Sequence, residues 1–444
     1  MSDAAPYDVA AVAALDDEVV DERSKAIPPS LWGLTVAQVR ERRPRLAELS
    51  TPVLTLDRGA LTANRDAVAA WCAERGLGLA PHGKTTMAPR LWAEQLDAGA
   101  WGITVATGAQ LAVARRFGVR RVLVANELLS PGTLRWLADD LAAHPDVEVV
   151  VWVDSLEAVA LMEDALAGAR GPTVLVELGR AGARTGARDL ETAVAVARAL
   201  VASPVLRLGG VGGYEGVVAS GAGADDLAAV RAYVEDLRAL HERLDAEQAY
   251  DALRAGGRRP LVTCGGSAYP DVVAEVLAPL APSGADVVLR SGASLVHDDG
   301  HYEGLSPFGG DARGEGPRLR AAMHAWARVL SQPEPGLALA DAGKRDVPFD
   351  LGLPTVQRRR ARPDEPVGDQ GVVRLEGVAV TALADQHAFL RWDAGTPAPV
   401  RVGDVVRLGL SHPCTAFDRW SLIPVVDDAD AADPVVVDLV RTLF

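Results

Sequence analysis

The sequence predicts an α/β fold: a closed (β/α)8 TIM barrel followed by a mostly β C-terminal domain. Two observations carry this. Between residues 76 and 294, eight short apolar, often β-branched runs alternate with Ala-, Leu- and Arg-rich stretches of helical character. After about residue 315 that rhythm stops, and period-two stretches bounded by turn residues replace it. Strands apolar at nearly every position are buried on both faces, which marks a parallel sheet covered by helices. Eight strand–helix units fit a closed barrel better than an open, doubly wound sheet, which is the alternative.

The elements follow in order. Residues 1–50 read as an extension with a Pro28-Pro29 break and a short helical pattern after Thr35. "TPVLTLD" (51–57) reads as a strand, and "RGALTANRDAVAAWCAERG" (58–76) as a helix ending at Gly76. The barrel strands are 76–82, 101–107, 121–127, 147–154, 172–179, 206–216, 261–267 and 286–294. Helices fit the gaps, for example 155–169 and 189–203. This places the barrel at 51–315 and a β-rich domain at 316–444. In the latter, "HAWARVLSQPEPGLALADAG" reads as a hairpin turning at Pro333-Glu334-Pro335-Gly336. Further strands lie within 371–393, 400–414 and 420–427, while 358–371 reads as a polar surface linker. Internal repeats and low-complexity tracts are absent.

Composition narrows the function. Hydrophobic residues make up 49% and charged residues 24%, as in ordinary globular chains. The formal charge of −15, from 45 basic and 60 acidic residues, disfavours nucleic acid or an anionic membrane as partner. No apolar run is long enough to span a bilayer, and the acidic N-terminal stretch lacks the pattern of a secretory signal. The three cysteines, Cys72, Cys264 and Cys414, are widely spaced and imply no disulfide framework, so a reducing, cytoplasmic location is expected.

Chemistry-bearing residues gather after the barrel strands, where barrels of this type build their sites. In "LAPHGKTTMAP" (79–89), Lys84 follows the first strand. It reads either as a solvated loop lysine or as one covalently occupied, since a bare ammonium is costly to desolvate there. "GRAGARTG", "GGYEG", "CGGSAYPD" and "RSGAS" follow strands five to eight. Glycine-rich turns at adjacent strand ends are places for a phosphate, held by backbone N–H groups and the Ser267 hydroxyl, or simply tight turns. A lysine across the rim from a phosphate cradle suggests pyridoxal phosphate, which binds lysine as a Schiff base.

Together "PHGKTTMAP", "GRAGARTGA", "CGGSAYPDVV" and "SHPCTAFDRW" (411–420) resemble the alanine-racemase-type (fold type III) pyridoxal-phosphate enzymes. Within them the chain resembles the D-threonine aldolase and D-serine dehydratase branch, over roughly residues 50–420. The resemblance implies that Lys84 carries the cofactor and removes the α-proton, and that Arg184 lies beside the pyridine ring oxygen. It implies that Tyr214, Ser267 and the backbone of Gly265, Gly266, Gly292 and Ala293 hold the phosphate. His412 and Cys414 match the metal-binding His-x-Cys of this branch, for zinc or else manganese or magnesium. His387 matches a histidine near that metal and would act as an acid or base. A homodimer is expected on the same ground.

Departures bear on specificity. Thr86 stands where relatives carry a second histidine, Asp385-Gln386 where they carry an acidic pair, and His297 where an aromatic is usual. His297 and His301 read as a polar loop at the site's mouth or a second metal site. Cys72, Cys264, Trp71, Trp92 and Trp101 read as packing residues, and Asp286 as a strand start. The implied activity is that of a lyase on D-β-hydroxy amino acids, of the D-serine dehydratase type, giving a 2-keto acid and ammonia. Retro-aldol cleavage of the D-threonine aldolase type is the alternative. A racemase or a non-catalytic cofactor carrier is the more remote reading: the C-terminal domain has no tyrosine after Tyr302 to serve as a second base.

Overall fold

All eight barrel strands form where the apolar runs lie. In this computed structural model residues 5–310, 313, 316–362, 365 and 371–444 are described. The barrel strands are β2 (Gly78–Leu79), β3 (Ile103–Val105), β4 (Arg121–Glu127), β5 (Glu148–Val153), β6 (Thr173–Leu178), β7 (Arg207–Gly213), β8 (Leu261–Cys264) and β9 (Asp286–Leu289). A further strand, β1 (Val53–Asp57), precedes them. The barrel strands run in the order β2-β9-β8-β7-β6-β5-β4-β3. A parallel bridge between His82 and Thr104 joins the two ends, supported by the Thr104 hydroxyl donating to the Ala80 carbonyl at 2.8 Å. The sheet is therefore a closed barrel.

Strand alternation sorts the barrel's side chains. Leu123, Val150, Trp152, Leu175, Leu261 and Val288 plug the interior. Val122, Val124, Val151, Val153, Val174 and Val176 face the surrounding helices. Several of those helices start where polar caps hold the first turn, and others start on a proline. Ser155 accepts the Ala158 N–H, and Asp189 accepts the Thr192 N–H, ahead of helices Leu156–Leu166 and Leu190–Ala202. The helix Arg58–Glu74 ends before Gly76, whose φ of +64° suits glycine.

A second sheet holds β10 (Met323–Glu334), β11 (Leu337–Ala340), β12 (Thr355–Arg360), β13 (Val372–Arg374), β14 (Ala379–Leu383), β15 (Ala388–Arg391), β16 (Val405–Gly409), β17 (Leu422–Val426) and β18 (Val436–Arg441). The β10–β11 hairpin turns at the Pro-Glu-Pro-Gly segment. Three features differ from the sequence reading. Strand β1 belongs to this sheet, lying antiparallel to β10 and parallel to β17, although residues 51–57 were grouped with the barrel. Residues 358–360 end strand β12 rather than opening a linker. The Arg358 guanidinium donates to the Asp430 carbonyl at 2.7 Å and Arg359 pairs with Glu365 at 2.6 Å, so both cations are buried with partners. Strand β18 was not foreseen. The rest of the expected linker (363, 364 and 366–370) and the expected domain boundary at 315 lie outside the described residues.

The N-terminal extension is part of the fold. Thr35 caps the helix Val36–Arg42 in a capping box with Gln38. Val20, Ile27, Leu31, Val36 and Val39 pack with Val53, Trp326 and Leu422 on the second sheet.

Candidate active site

A cavity of about 450 Å³ opens at the C-terminal mouth of the barrel, where the second sheet meets it. Its lining includes Lys84, Arg184, Tyr214, Gly265, Gly266, Ser267, Gly292, Ala293, His412 and Cys414. The structure thus brings together every residue that the resemblance assigns to cofactor, metal or catalysis except His387.

Lys84 sits in the single turn Gly83–Thr85 that follows β2. Burial lowers its pKa; the charge of Cys414 opposes this, and those of Arg184 and Arg290 add to it. The amine is thereby shifted toward its neutral, nucleophilic form. Arg184 lies over the Tyr214 ring, 4.7 Å from its centroid. Burial, with the charge of Glu215, pushes the Tyr214 hydroxyl up to about 12, so it keeps its proton. The Tyr214 backbone is fixed: its N–H donates to the Tyr233 hydroxyl at 3.0 Å, which donates to the Leu178 carbonyl at 2.6 Å.

The glycine turns are close approaches. A Cβ on Gly292 would stand 2.5 Å from Thr85 Oγ1, and one on Gly266 would stand 2.8 Å from the Tyr214 ring. Gly265 has a φ of +116°. The hydrogen bonding narrows the expected phosphate cradle. The Gly266 N–H donates to buried Glu215 at 2.9 Å, and the Ala293 N–H donates to Ser267 Oγ at 2.9 Å. Those two amides already have acceptors, which leaves the hydroxyls of Ser267 and Tyr214 and the Gly292 backbone as cradle candidates.

His412 and Cys414 stand at the other wall. Asp350 Oδ2 lies 2.6 Å from His412 Nδ1, and Thr415 donates to Asp350 Oδ1 at 2.7 Å. Burial favours the neutral imidazole, but Cys414 and Asp350 outweigh it and raise His412 to about 9. Burial likewise works against the Cys414 thiolate. His412, the Thr85 hydroxyl 3.2 Å from Sγ, and the charge of Lys84 reverse it and lower the thiol's pKa. An imidazole whose Nδ1 is held by a carboxylate, beside a thiol disposed to ionise, is a donor set that fits a borderline-soft divalent metal.

His387 is not in this cavity. Because β14 and β15 pair Leu383 with Ala388, residues 384–387 make a tight turn in which the Ala384 N–H donates to the His387 carbonyl at 2.9 Å. The turn packs on Gly343, where an added Cβ would meet the Asp385 carbonyl at 2.2 Å. Thr86 faces inward and accepts from Trp92 Nε1 at 3.2 Å. Buried His297 lies 2.9 Å from Glu303 through Nε2, and His301 packs edge-on against Tyr302. Among the described residues neither belongs to a group of three metal-ligating side chains. Trp71 and Trp92 are core residues, Trp101 packs against the barrel plug, and Asp286 begins β9.

Sequence reasoning passed over four contributors. Asn126 and Tyr302 line the cavity, and Tyr302 keeps its proton because burial raises its pKa. Arg290 also lines it, donating to Thr263 Oγ1 at 2.9 Å with its guanidinium over Trp152. It was visible in "RSGAS" as the first residue past β9. Asp350 gave no signal, since 62 positions separate it from His412.

Comparison with known proteins agrees with this architecture. Residues 322–426 match the model of the family described as "Putative serine dehydratase domain". The chain is 27% identical over 392 residues to the D-threonine aldolase of an Arthrobacter species, covering 87% of this chain and 92% of that protein. The crystal structure of D-threonine aldolase from Filomicrobium marinum superimposes with a TM-score of 0.70 at 24% identity, covering 90% of this chain and 97% of the other. D-threo-3-hydroxyaspartate dehydratase from Delftia sp. HT23 superimposes with a TM-score of 0.65 at 22% identity, covering 90% and 99%. With its lysine-bearing barrel mouth met by a β domain that carries a His–Cys pair, the chain is similar in sequence and architecture to the fold type III, alanine-racemase-type pyridoxal-phosphate lyases of the D-threonine aldolase and D-serine dehydratase-like kind.

Proposed function

We propose that the protein is a pyridoxal-phosphate- and divalent-metal-dependent lyase that dehydrates D-β-hydroxy amino acids to a 2-keto acid and ammonia. One observation carries the reading: Thr85 joins the cofactor lysine's turn to the metal pair, with its Oγ1 3.2 Å from Cys414 Sγ. The base for Cα–H and the ligands facing the β-oxygen are thus side by side. Bound pyridoxal phosphate supplies an electron sink for Cα, and a bound divalent metal supplies a Lewis acid for the β-oxygen. Lys84, shifted toward the neutral amine, takes the α-proton. Arg184 and Arg290 bring fixed positive charge to the cofactor's surroundings. Asp350 holds the His412 ring so that Nε2 is the nitrogen left for the metal. Tyr302 presents a protonated hydroxyl to the same cavity and is the candidate proton donor to the leaving oxygen.

Retro-aldol cleavage to glycine and an aldehyde is the second reading, favoured by the name of the curated Arthrobacter relative. It needs a base on the β-hydroxyl in place of one on Cα. Product analysis after incubation with D-threonine separates the two: 2-oxobutyrate with ammonia supports dehydration, glycine with acetaldehyde replaces it by cleavage. Lys84→Ala should abolish both the absorbance of the lysine-bound cofactor and turnover on either path; turnover that survives the substitution would sink both. The protein is further proposed to be a cytoplasmic homodimer, which light scattering of the purified chain tests for the oligomeric state.

A further inference from the structure

Where β4, β5 and β6 reach the barrel mouth, each ends its inward-facing series on a carboxylate. Ala125, Trp152 and Leu175 occupy the interior plug or pack on it. Two residues further along the chain come Glu127, Asp154 and Glu177. One oxygen from each lies within 4.8 Å of the other two. Glu177 is 3% exposed and its Oε2 has no hydrogen-bond partner; both Glu127 oxygens are buried without one. Asp154 Oδ2 accepts the Gly186 N–H at 3.0 Å. The buried guanidinium whose charge reaches Glu177 is Arg290, and it is engaged with Thr263 and the Gly213 carbonyl. Burial and the neighbouring Glu177 push Glu127 up to about 8. Carboxylates converging in a low-dielectric interior with orphaned oxygens need either a cation or a proton.

We propose that Glu127, Asp154 and Glu177 form a binding site for a hard divalent cation of the calcium class, separate from the His412–Cys414 pair. The donors are all oxygens, which select hard cations over the softer metals that thiolate and imidazole favour. Two oxygens on one Ca²⁺ at about 2.4 Å are at most about 4.8 Å apart, so the spacing of the trio is within the reach of one shared ion, with small side-chain shifts closing the shell. Water would fill the remaining positions. Through Asp154 the ion would also hold Gly186 and so the base of the segment that carries Arg184.

The test uses the full-length protein loaded with pyridoxal phosphate and zinc, titrated with Tb³⁺ as a calcium surrogate. Trp152, two residues before Asp154, is the nearby sensitising indole. The expected result is saturable sensitised emission that Ca²⁺ displaces. It should weaken by about ten-fold or more in the Glu127→Gln/Glu177→Gln double variant and persist in His412→Ala. Should the double variant not fold, Asp154→Asn serves the same comparison. Emission that is unchanged in these variants, or no saturable emission together with a melting temperature indifferent to Ca²⁺, overturns the proposal and leaves the trio as a shared-proton cluster.

Discussion

At the scale of single residues, the cavity is organised by side chains that hold other side chains. Asp350 holds His412, and Thr85 reaches Cys414. Replacing Asp350 by Asn removes the carboxylate but keeps the shape. Metal affinity, read by competition with a chromophoric chelator, should fall about 10- to 100-fold. Glu127 gives a pH prediction. Its folded pKa of about 8 lies above the usual 4.5, so the cation-free native state binds the extra proton between those values. Stability from this group is full below about pH 4.5 and is lost as pH rises through 8, with Glu177 and Asp154 facing it. In EDTA, Glu127→Gln should therefore reduce the fall in melting temperature between pH 5 and 8. What the sequence disclosed at this scale was the local chemistry: Lys84, Ser267, His412 and Cys414 stand in short motifs whose residue types declare a use. Asp350, Glu127 and Glu177 were silent because their meaning lies in partners on other strands. His387 misled because a motif position says nothing of the way a hairpin turn points.

At the scale of elements, the barrel strands were legible because burial on both faces leaves an apolar run with no polar interruption. Gly210 shows how tightly they pack. Its φ is +144°, and a Cβ there would stand in contact with the Leu261 backbone of the next strand. Gly210→Ala should cost about 2–4 kcal/mol in urea unfolding, combining overpacking with backbone strain. The polar strand β12 was illegible for the opposite reason. "TVQRRR" reads as solvated until its guanidiniums are seen to meet the Asp430 carbonyl and Glu365. At the cofactor wall, Gly292→Ala would push against Thr85 Oγ1 at 2.5 Å. Retention of pyridoxal phosphate on a desalting column should drop while far-UV circular dichroism is unchanged.

At the scale of the whole molecule, the two sheets are tied together by chain that crosses between them. The change from helical rhythm to period-two pattern disclosed that there are two domains. It could not disclose that β1, read beside the barrel helix it precedes, pairs with β10 and β17, since pairing across the chain leaves no local trace. Residues 316–444 expressed alone should be unfolded or aggregated by circular dichroism and light scattering, because the sheet would lack an interior strand and expose two edges. Adding the peptide 50–58 in trans should restore part of the β signal.

That same strand sets an order of events during synthesis. Val53 leaves the ribosome long before its partner Trp326 and longer still before Leu56 can meet Val425. At about 10 residues per second the wait is on the order of half a minute, while the whole barrel is made. Throughout it, a segment bearing Val53, Leu54 and Leu56 has no neighbour on either side. A nascent chain stalled after β9 has emerged but before β10 has should therefore carry a finished barrel with β1 unpaired at both edges, and this is the species a holding chaperone would recognise.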